Sequence, residues 1–397
     1  MNQVFASKEL IKLCRKDEWE DYGLTRNSLI EKIDSNFDAI IAETFSFDIQ
    51  QTGSYCQLTD LAQKLIIRKL NDNIKRLYKD EQSNRRVIIK QVKALLEEET
   101  PMWILKTDVE KFYESIDRNR LLAKLKNDSM LSYHSIFLLE TLFANEKLVN
   151  QTGLPRGLSI SSTLSEMYMR KFDRWIRSCP SVYYYARFVD DILVFSNNKK
   201  ELNNLNQSIN NNLEKGLQKK DQKTGIYTGE SISERDPLEY LGYKFTTEHR
   251  TVKGKKKPVR VLKVSIARKK IKKIKTRITL SLVDHLKSNN FDLLEKRIKF
   301  LTGNYSIKKN EDSEDLKAGI FYNYCYLTHF NDLHLLNIYY RKILFCQQSR
   351  FGRLMNSKLS TDQKGRLKKY SFIYGHKNKV YHTFSADHMS EIKKCWK

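Results

Sequence analysis

Two adjacent carboxylates, Asp190 and Asp191, sit inside the run Tyr183-Tyr184-Tyr185-Ala186-Arg187-Phe188-Val189-Asp190-Asp191-Ile192-Leu193-Val194-Phe195-Ser196. An aromatic and β-branched segment enters, the acidic pair interrupts it, and an apolar segment leaves. This pattern predicts two short buried strands with the aspartates at the turn between them. Asp-Asp is not a favoured two-residue hairpin turn, and neighbouring carboxylates repel. A divalent cation would supply the counter-charge, and Mg²⁺ is a hard ion that prefers carboxylate oxygens. A solvated acidic turn is the competing reading. A third carboxylate is available, because Trp103-Ile104-Leu105-Lys106-Thr107-Asp108 reads as a strand ending on Asp108. Three carboxylates suffice to hold two metal ions for in-line phosphoryl displacement.

Two further stretches suit phosphates. In Asn150-Gln151-Thr152-Gly153-Leu154-Pro155-Arg156-Gly157-Leu158-Ser159, two glycines bracket Leu-Pro-Arg ahead of a long helix with Leu164, Met167, Tyr168, Phe172 and Trp175. Glycine lets a backbone approach a ligand closely, and a helix N-terminus attracts anions. Ordinary loop-to-helix turns share the pattern. Upstream, Arg85 and Arg86 follow a polar turn and precede the strand-like Val87-Ile88-Ile89, an arrangement that could hold a triphosphate.

Helices and strands have to position these groups. Residues 8 to 78 are mostly helical in pattern, with a break at Gln50-Gln51-Thr52-Gly53-Ser54. A short acidic helix over 94–100 is stopped by Pro101, and Val109 to Asp117 reads as a helix with aromatics on its first turn. Leu202 to Leu217 is an amphipathic helix, Lys219 to Gly225 a basic turn, and Leu238 to Phe245 a strand containing one glycine. Ile266 to Ile278 places Ile271, Ile274 and Ile278 at helical spacing with lysines on the other faces. The last hundred residues are helical and rich in aromatics, most of them core, with a less regular end from Tyr370 to Trp396.

Composition narrows the class of partner. The 397 residues carry 72 Lys and Arg against 47 Asp and Glu, a formal charge of +25 that fits a polyanion such as nucleic acid or an anionic membrane surface. Between Arg250 and Lys299 there are 18 basic residues and 3 acidic ones. The narrow apolar face of 266–278 has no Trp or Phe, which favours nucleic acid over a membrane. No stretch approaches a spanning length, and the N-terminus does not read as a signal peptide. The six cysteines are widely spaced, which predicts no disulfide framework or zinc module and a reducing cytoplasm.

Asp108 with Phe112-Tyr113, the Gly153-Leu154-Pro155-Arg156-Gly157 loop, Phe188-Val189-Asp190-Asp191 and Leu241-Gly242-Tyr243 follow the motif order of a reverse transcriptase, over about residues 76–245. The chain resembles the prokaryotic branch of retrons, group II intron proteins and abortive-infection enzymes. Ser83-Asn84-Arg85-Arg86-Val87-Ile88-Ile89-Lys90-Gln91 and Phe112-Tyr113-Glu114-Ser115-Ile116 are most similar to its defence-associated members, including the class with two reverse transcriptases and a noncoding RNA. The resemblance implies that Asp108, Asp190 and Asp191 bind two Mg²⁺, or Mn²⁺, with Val109 among the metal contacts. It implies that Tyr113 lies under the incoming sugar and excludes a 2′-hydroxyl, and that Lys223 donates a proton near the pyrophosphate. Arg85 or Arg86 would hold the triphosphate, with Gly153, Arg156 and Gly157 also at the nucleotide.

Three departures stand out. Arg156 replaces the usual Gln, about eighteen residues separate Ile89 from Asp108, and no zinc or nuclease module follows the basic region. The expected architecture is an α/β (α+β) right-hand polymerase. Helical fingers would occupy 1–100, an antiparallel-sheet palm 101–250, and a basic helical thumb with a C-terminal extension 251–397. The expected partners are an RNA template, dNTPs, the DNA product, and a second reverse transcriptase subunit or another copy of the chain, with no membrane. Template-independent or protein-primed synthesis by the same palm is one alternative; a non-catalytic RNA scaffold is the other.

The expected nucleic-acid contacts are Lys255, Lys256, Lys257, Lys269, Lys270, Lys272 and Lys273. Each phosphate neutralised contributes about −0.9 for duplex DNA, or about −0.7 for single strands, to the slope of log K against log salt. Replacing Lys269, Lys270, Lys272 and Lys273 with Gln keeps helix propensity, weakens RNA binding and makes that slope shallower. Filter binding across a salt series checks it, and an unchanged slope would remove these lysines from the interface.

Overall fold

Runs of β-branched and aromatic residues form the strands, and every strand pairing among the described residues is antiparallel. The computed structural model describes residues 2–15, 17–53, 55–79, 83–98, 100–149, 151–251, 258–307 and 316–396. In chain order the strands are Ile49–Thr52 (β1), Tyr55–Leu58 (β2), Trp103–Asp108 (β3), Val182–Phe188 (β4), Asp191–Ser196 (β5) and Gly225–Thr228 (β6). Leu238–Tyr240 (β7), Tyr243–Arg250 (β8), Val259–Ile266 (β9), Asn304–Ile307 (β10) and Leu316–Gly319 (β11) follow. They form four sheets, β1-β2, β4-β5-β3-β6, β7-β8-β9 and β10-β11. The chain divides into two compact units, Met1–Ile88 with Thr100–Thr228, and Ile89–Glu99 with Gly229–Lys397.

The first unit is built on its four-stranded sheet. Ile192, Leu193, Val194 and Phe195 of β5 are wholly buried, as are Ile104 and Leu105 of β3 beside it. The Ser159–Arg177 helix packs Ile160, Leu164, Phe172 and Ile176, at helical spacing, in one core with Leu105, Ile192 and Val194. The Leu61–Tyr78 helix packs along it, begins at Asp60, whose side chain accepts the Gln63 amide, and buries Leu65, Ile66, Leu70 and Ile74. Arg68 on this helix holds Glu18 through two 2.6 Å hydrogen bonds, a bidentate pair that fixes the N-terminal segment.

The second unit holds the β7-β8-β9 sheet, the β10-β11 hairpin and the Arg268–Ser288, Phe291–Thr302 and Asn331–Phe345 helices. Tyr243, Phe245 and Val264 line its core, and Tyr243 meets Tyr324 edge to face.

Several expectations change. Val87-Ile88-Ile89 is not a strand but part of the Arg85–Glu97 helix, in which Ile88, Ile89, Val92 and Leu96 are buried while Val87 is exposed. The spacing of those four residues is helical, and a three-residue window hid it. Val109 to Asp117 forms only a single 3₁₀ turn at Tyr113–Ser115; the helix proper is Arg118–Asp128, capped by Asp117. Leu238 to Phe245 is two strands, because Leu241 and Gly242 both take positive φ (45° and 83°) and turn the chain back. The helix expected over 202–217 is Lys199–Asn212. β1 and β2 form a hairpin inside the stretch expected to be mostly helical, β6, β9, β10 and β11 are further strands the pattern does not predict, and the irregular end contains the Phe372–Lys377 and Ala386–Lys394 helices. Lys255, Lys256 and Lys257 lie outside the described residues.

Because Phe195 is fully buried in the central strand β5, Phe195→Ala is expected to destabilise the first unit by about 3–5 kcal/mol, measured by chemical denaturation.

Candidate active site

Strand pairing brings the three aspartates together. In the β3/β5 ladder Asp108 and Asp191 are directly opposed, and Phe188 faces Asp191 across the β4/β5 hairpin. That leaves Val189 and Asp190 as the two-residue turn. Val189 has φ +60°, a conformation that a β-branched residue adopts only at a cost. The turn is tied down from the neighbouring strand, since the Val109 amide donates to the Asp190 carbonyl at 3.1 Å. Val109 is buried, and the only oxygen it offers is its own carbonyl.

The electrostatics follow from this crowding. Burial first, then the Asp108 charge, pushes the Asp190 carboxyl above its usual range. Burial, Asp190 and Asp108 together push Asp191 up to about 6. Asp108 is 4% exposed and accepts a 2.6 Å hydrogen bond from the Lys223 ammonium. Burial pulls the Lys223 pKa down, but the Asp108 hydrogen bond and charge outweigh it and the ammonium is stabilised. Lys223 closes the Asp221–Lys223 3₁₀ turn, whose approach is fixed by the Lys220 amide donating to the Asp108 carbonyl at 2.7 Å.

All-oxygen donors from three carboxylates and a backbone carbonyl fit a hard divalent ion such as Mg²⁺ or Mn²⁺. The raised Asp190 and Asp191 carboxyls point the same way. Among the described residues no three His, Cys, Asp or Glu side chains already converge as metal ligands. The trio is grouped by charge, with the Lys223 ammonium as the counter-charge on Asp108.

Tyr113 and the glycine loop lie in the same unit. The Tyr113 ring is half-buried, and burial raises its hydroxyl pKa. Arg156 lies 5.6 Å over the ring and holds Glu114 through bonds of 2.5 and 3.0 Å. That pair keeps the Glu114 carboxyl below its usual range. The loop's glycines face the chain itself. A Cβ on Gly153 would collide with the Tyr113 carbonyl, one on Gly157 with the Cys56 carbonyl, and both residues have positive φ. The Leu154 amide donates to Tyr113 and the Cys56 amide to Arg156, each at 2.7 Å.

Arg85 and Arg86 occupy the first turn of the Arg85–Glu97 helix, where the Asn84 side chain accepts the Arg86 amide. Lys269, Lys270, Lys272 and Lys273 are exposed on the Arg268–Ser288 helix of the second unit. Sequence reasoning missed Glu114, Glu166, Asp173 and Arg187. The available signal was two acids seven residues apart on an otherwise apolar helix face, Glu166 and Asp173.

An antiparallel sheet that ends in opposed carboxylates, backed by helices, is a polymerase palm-type fold. Residues 56–245, just under half of the chain, match the family model described as reverse transcriptase (RNA-dependent DNA polymerase). The chain therefore carries a nucleotidyltransferase domain of the RNA-directed DNA polymerase type. Comparison with curated proteins finds no match. Among solved structures, apo telomerase from Candida tropicalis is similar over 47% of this chain and 41% of its own, at 15% identity and a TM-score of 0.36. Telomerase from Candida albicans, in complex with a TWJ fragment of telomeric RNA, is similar over 83% of this chain and 53% of its own, at 12% identity and a TM-score of 0.35. The chain spans less than half the length of the apo telomerase chains it resembles.

Asp191 gives a test that needs no turnover. Its folded pKa of about 6 exceeds the ordinary 3.8, so the folded state binds the proton more tightly and stability falls as pH rises from about 4 to 6. Asp191→Asn removes that penalty. With chelator present it is expected to melt above the wild type at pH 8, with the gap closing towards pH 4.

Proposed function

We propose that this protein is an RNA-directed DNA polymerase that adds deoxynucleotides to a 3′-hydroxyl. The observation that carries the reading is the pairing of Asp108 opposite Asp191, with Asp190 in the adjoining turn and Lys223 on Asp108, inside the segment that matches the reverse transcriptase model. Asp108, Asp190, Asp191 and the Val109 carbonyl would hold two Mg²⁺. When bound, these ions lower the pKa of the attacking hydroxyl and stabilise charge on the phosphoryl group and pyrophosphate.

The chain's own residues do the rest. Lys223 holds a proton within reach of Asp108 and is the donor for the leaving pyrophosphate. Tyr113, with the Arg156 guanidinium over its ring, forms the floor under the sugar and selects against a 2′-hydroxyl. Arg156 acts on the nucleotide through Tyr113, since its guanidinium lies over that ring and its Nε and Nη2 are held by Glu114. Arg85 or Arg86 meets the triphosphate. Fingers over 1–100, a palm over 101–250 and a basic thumb over 251–397 are the corresponding parts, with the Arg268–Ser288 lysines on the phosphate backbone.

Within this class we infer a prokaryotic, cytoplasmic, defence-associated enzyme that copies a noncoding RNA and works with a second reverse transcriptase or another copy of itself. The motif wording at Ser83 to Gln91 and Phe112 to Ile116 supports this narrower reading. No helix among the described residues is long and apolar enough to cross a membrane.

The test is primer extension on an RNA template with dNTPs and Mg²⁺. The wild type is expected to extend, Asp190→Ala to fall to background while keeping its fold, and Tyr113→Ala to incorporate ribonucleotides more readily. An Asp190→Ala protein that extends at the wild-type rate would remove the aspartates from catalysis, and unchanged sugar discrimination would move the gate elsewhere.

A further inference from the structure

Arg187 is 5% exposed on β4, three residues before Asp190, and none of the roles above uses it. Its Nε and Nη2 donate to the two oxygens of Asp173, both at 2.8 Å. Nη2 and Nη1 donate to the two oxygens of Glu166 at 2.6 and 3.3 Å. The remaining donor of Nη1 reaches the Val189 carbonyl at 3.0 Å. All five N–H donors of the guanidinium are thereby engaged, and Asp173 also accepts the Tyr185 hydroxyl at 2.6 Å.

Stability alone is a poor reason for this cluster, because a buried ion network is generally no better than apolar residues of equal volume. A guanidinium does something that apolar packing does not. It joins two acids of the Ser159–Arg177 helix to a carbonyl of the turn, in one plane. That carbonyl belongs to Val189, the residue held at φ +60°, while the next carbonyl, of Asp190, is held from β3 by the Val109 amide. Both peptides of the turn are therefore pinned.

We propose that Arg187 is a positioning residue whose clamp on Glu166, Asp173 and the Val189 carbonyl holds the strained turn that presents Asp190 and Asp191 to Asp108. This deepens, and rests on, the reading of those aspartates as metal-binding groups.

The full-length Arg187→Lys protein tests it. Lysine keeps the charge but carries three donors on a single nitrogen, so it cannot span both acids and the carbonyl. Expected are an unchanged KM for dNTP and a kcat lower by about 10- to 100-fold, the scale of a small misplacement of reacting groups. Weaker Mn²⁺ binding, read by electron paramagnetic resonance without nucleotide, should accompany them. Adding Val189→Gly, which accepts positive φ without strain, should restore part of kcat. If Arg187→Lys does not fold, Arg187→Met combined with Glu166→Gln and Asp173→Asn removes all three charges at similar volume and should show the same losses.

Wild-type kcat and Mn²⁺ affinity in the variant that folds would overturn the proposal and leave the cluster a structural ion pair. Mn²⁺ binding needs no turnover. A wild type that binds Mn²⁺ through Asp190 but incorporates no nucleotide would therefore overturn the polymerase reading and leave the clamp standing.

Discussion

Repulsion among Asp108, Asp190 and Asp191 is the constraint that organises the first unit. A β-ladder places Asp108 and Asp191 face to face, and burial removes the water that would screen them. The surroundings answer that repulsion in different ways. The Lys223 ammonium takes up part of the charge on Asp108, and backbone amides of Val109 and Lys220 fix the peptides around the carboxylates. The buried core of β3 and β5 supplies the stability that such a site consumes. The charge left over is negative and concentrated at one end of the sheet.

The glycine loop shows how a motif can serve its own chain first. Gly153 and Gly157 let the loop lie against the Tyr113 and Cys56 backbones, so what they secure is the seat of Tyr113 and the anchorage of the β1-β2 hairpin. Arg156, the departure from the usual Gln, belongs to the same arrangement, with its guanidinium divided between Glu114 and the Tyr113 ring. What the departure changes in the fold is what braces the Tyr113 ring.

Legibility followed the strength of local pattern. The aspartate hairpin was readable because two apolar runs flank two charges, and the Ser159–Arg177 helix because its apolar residues recur over five turns. The Arg85–Glu97 helix was not, since Val87-Ile88-Ile89 taken alone favours a strand and only Val92 and Leu96 reveal the period. The Leu241-Gly242 turn was hidden because Leu241 is an unexpected residue at positive φ. β10 and β11 are four residues each, too short for a periodic signal. Asp108, Asp190 and Asp191 could be singled out from strand pattern and charge, and Lys223 only from the resemblance to a reverse transcriptase. The Arg187 network could not, because its members lie 7 to 21 positions apart and meet only when helix and strand pack.

The opposed pair Asp108 and Asp191 has a consequence for how such a chain can change over generations. Side chains alternate faces along a strand, so sliding one strand by a single position turns every group to the opposite side. A one-residue deletion between Tyr184 and Asp190 that was passed on to β5 would put Ile192 where Asp191 now faces Asp108, and would leave both aspartates in the turn. A bulge can absorb such a slip, as β4 already does between Val182 and Tyr184, away from the carboxylates. Between that bulge and the turn, parity of residue count is what a descendant of this sequence would have to inherit.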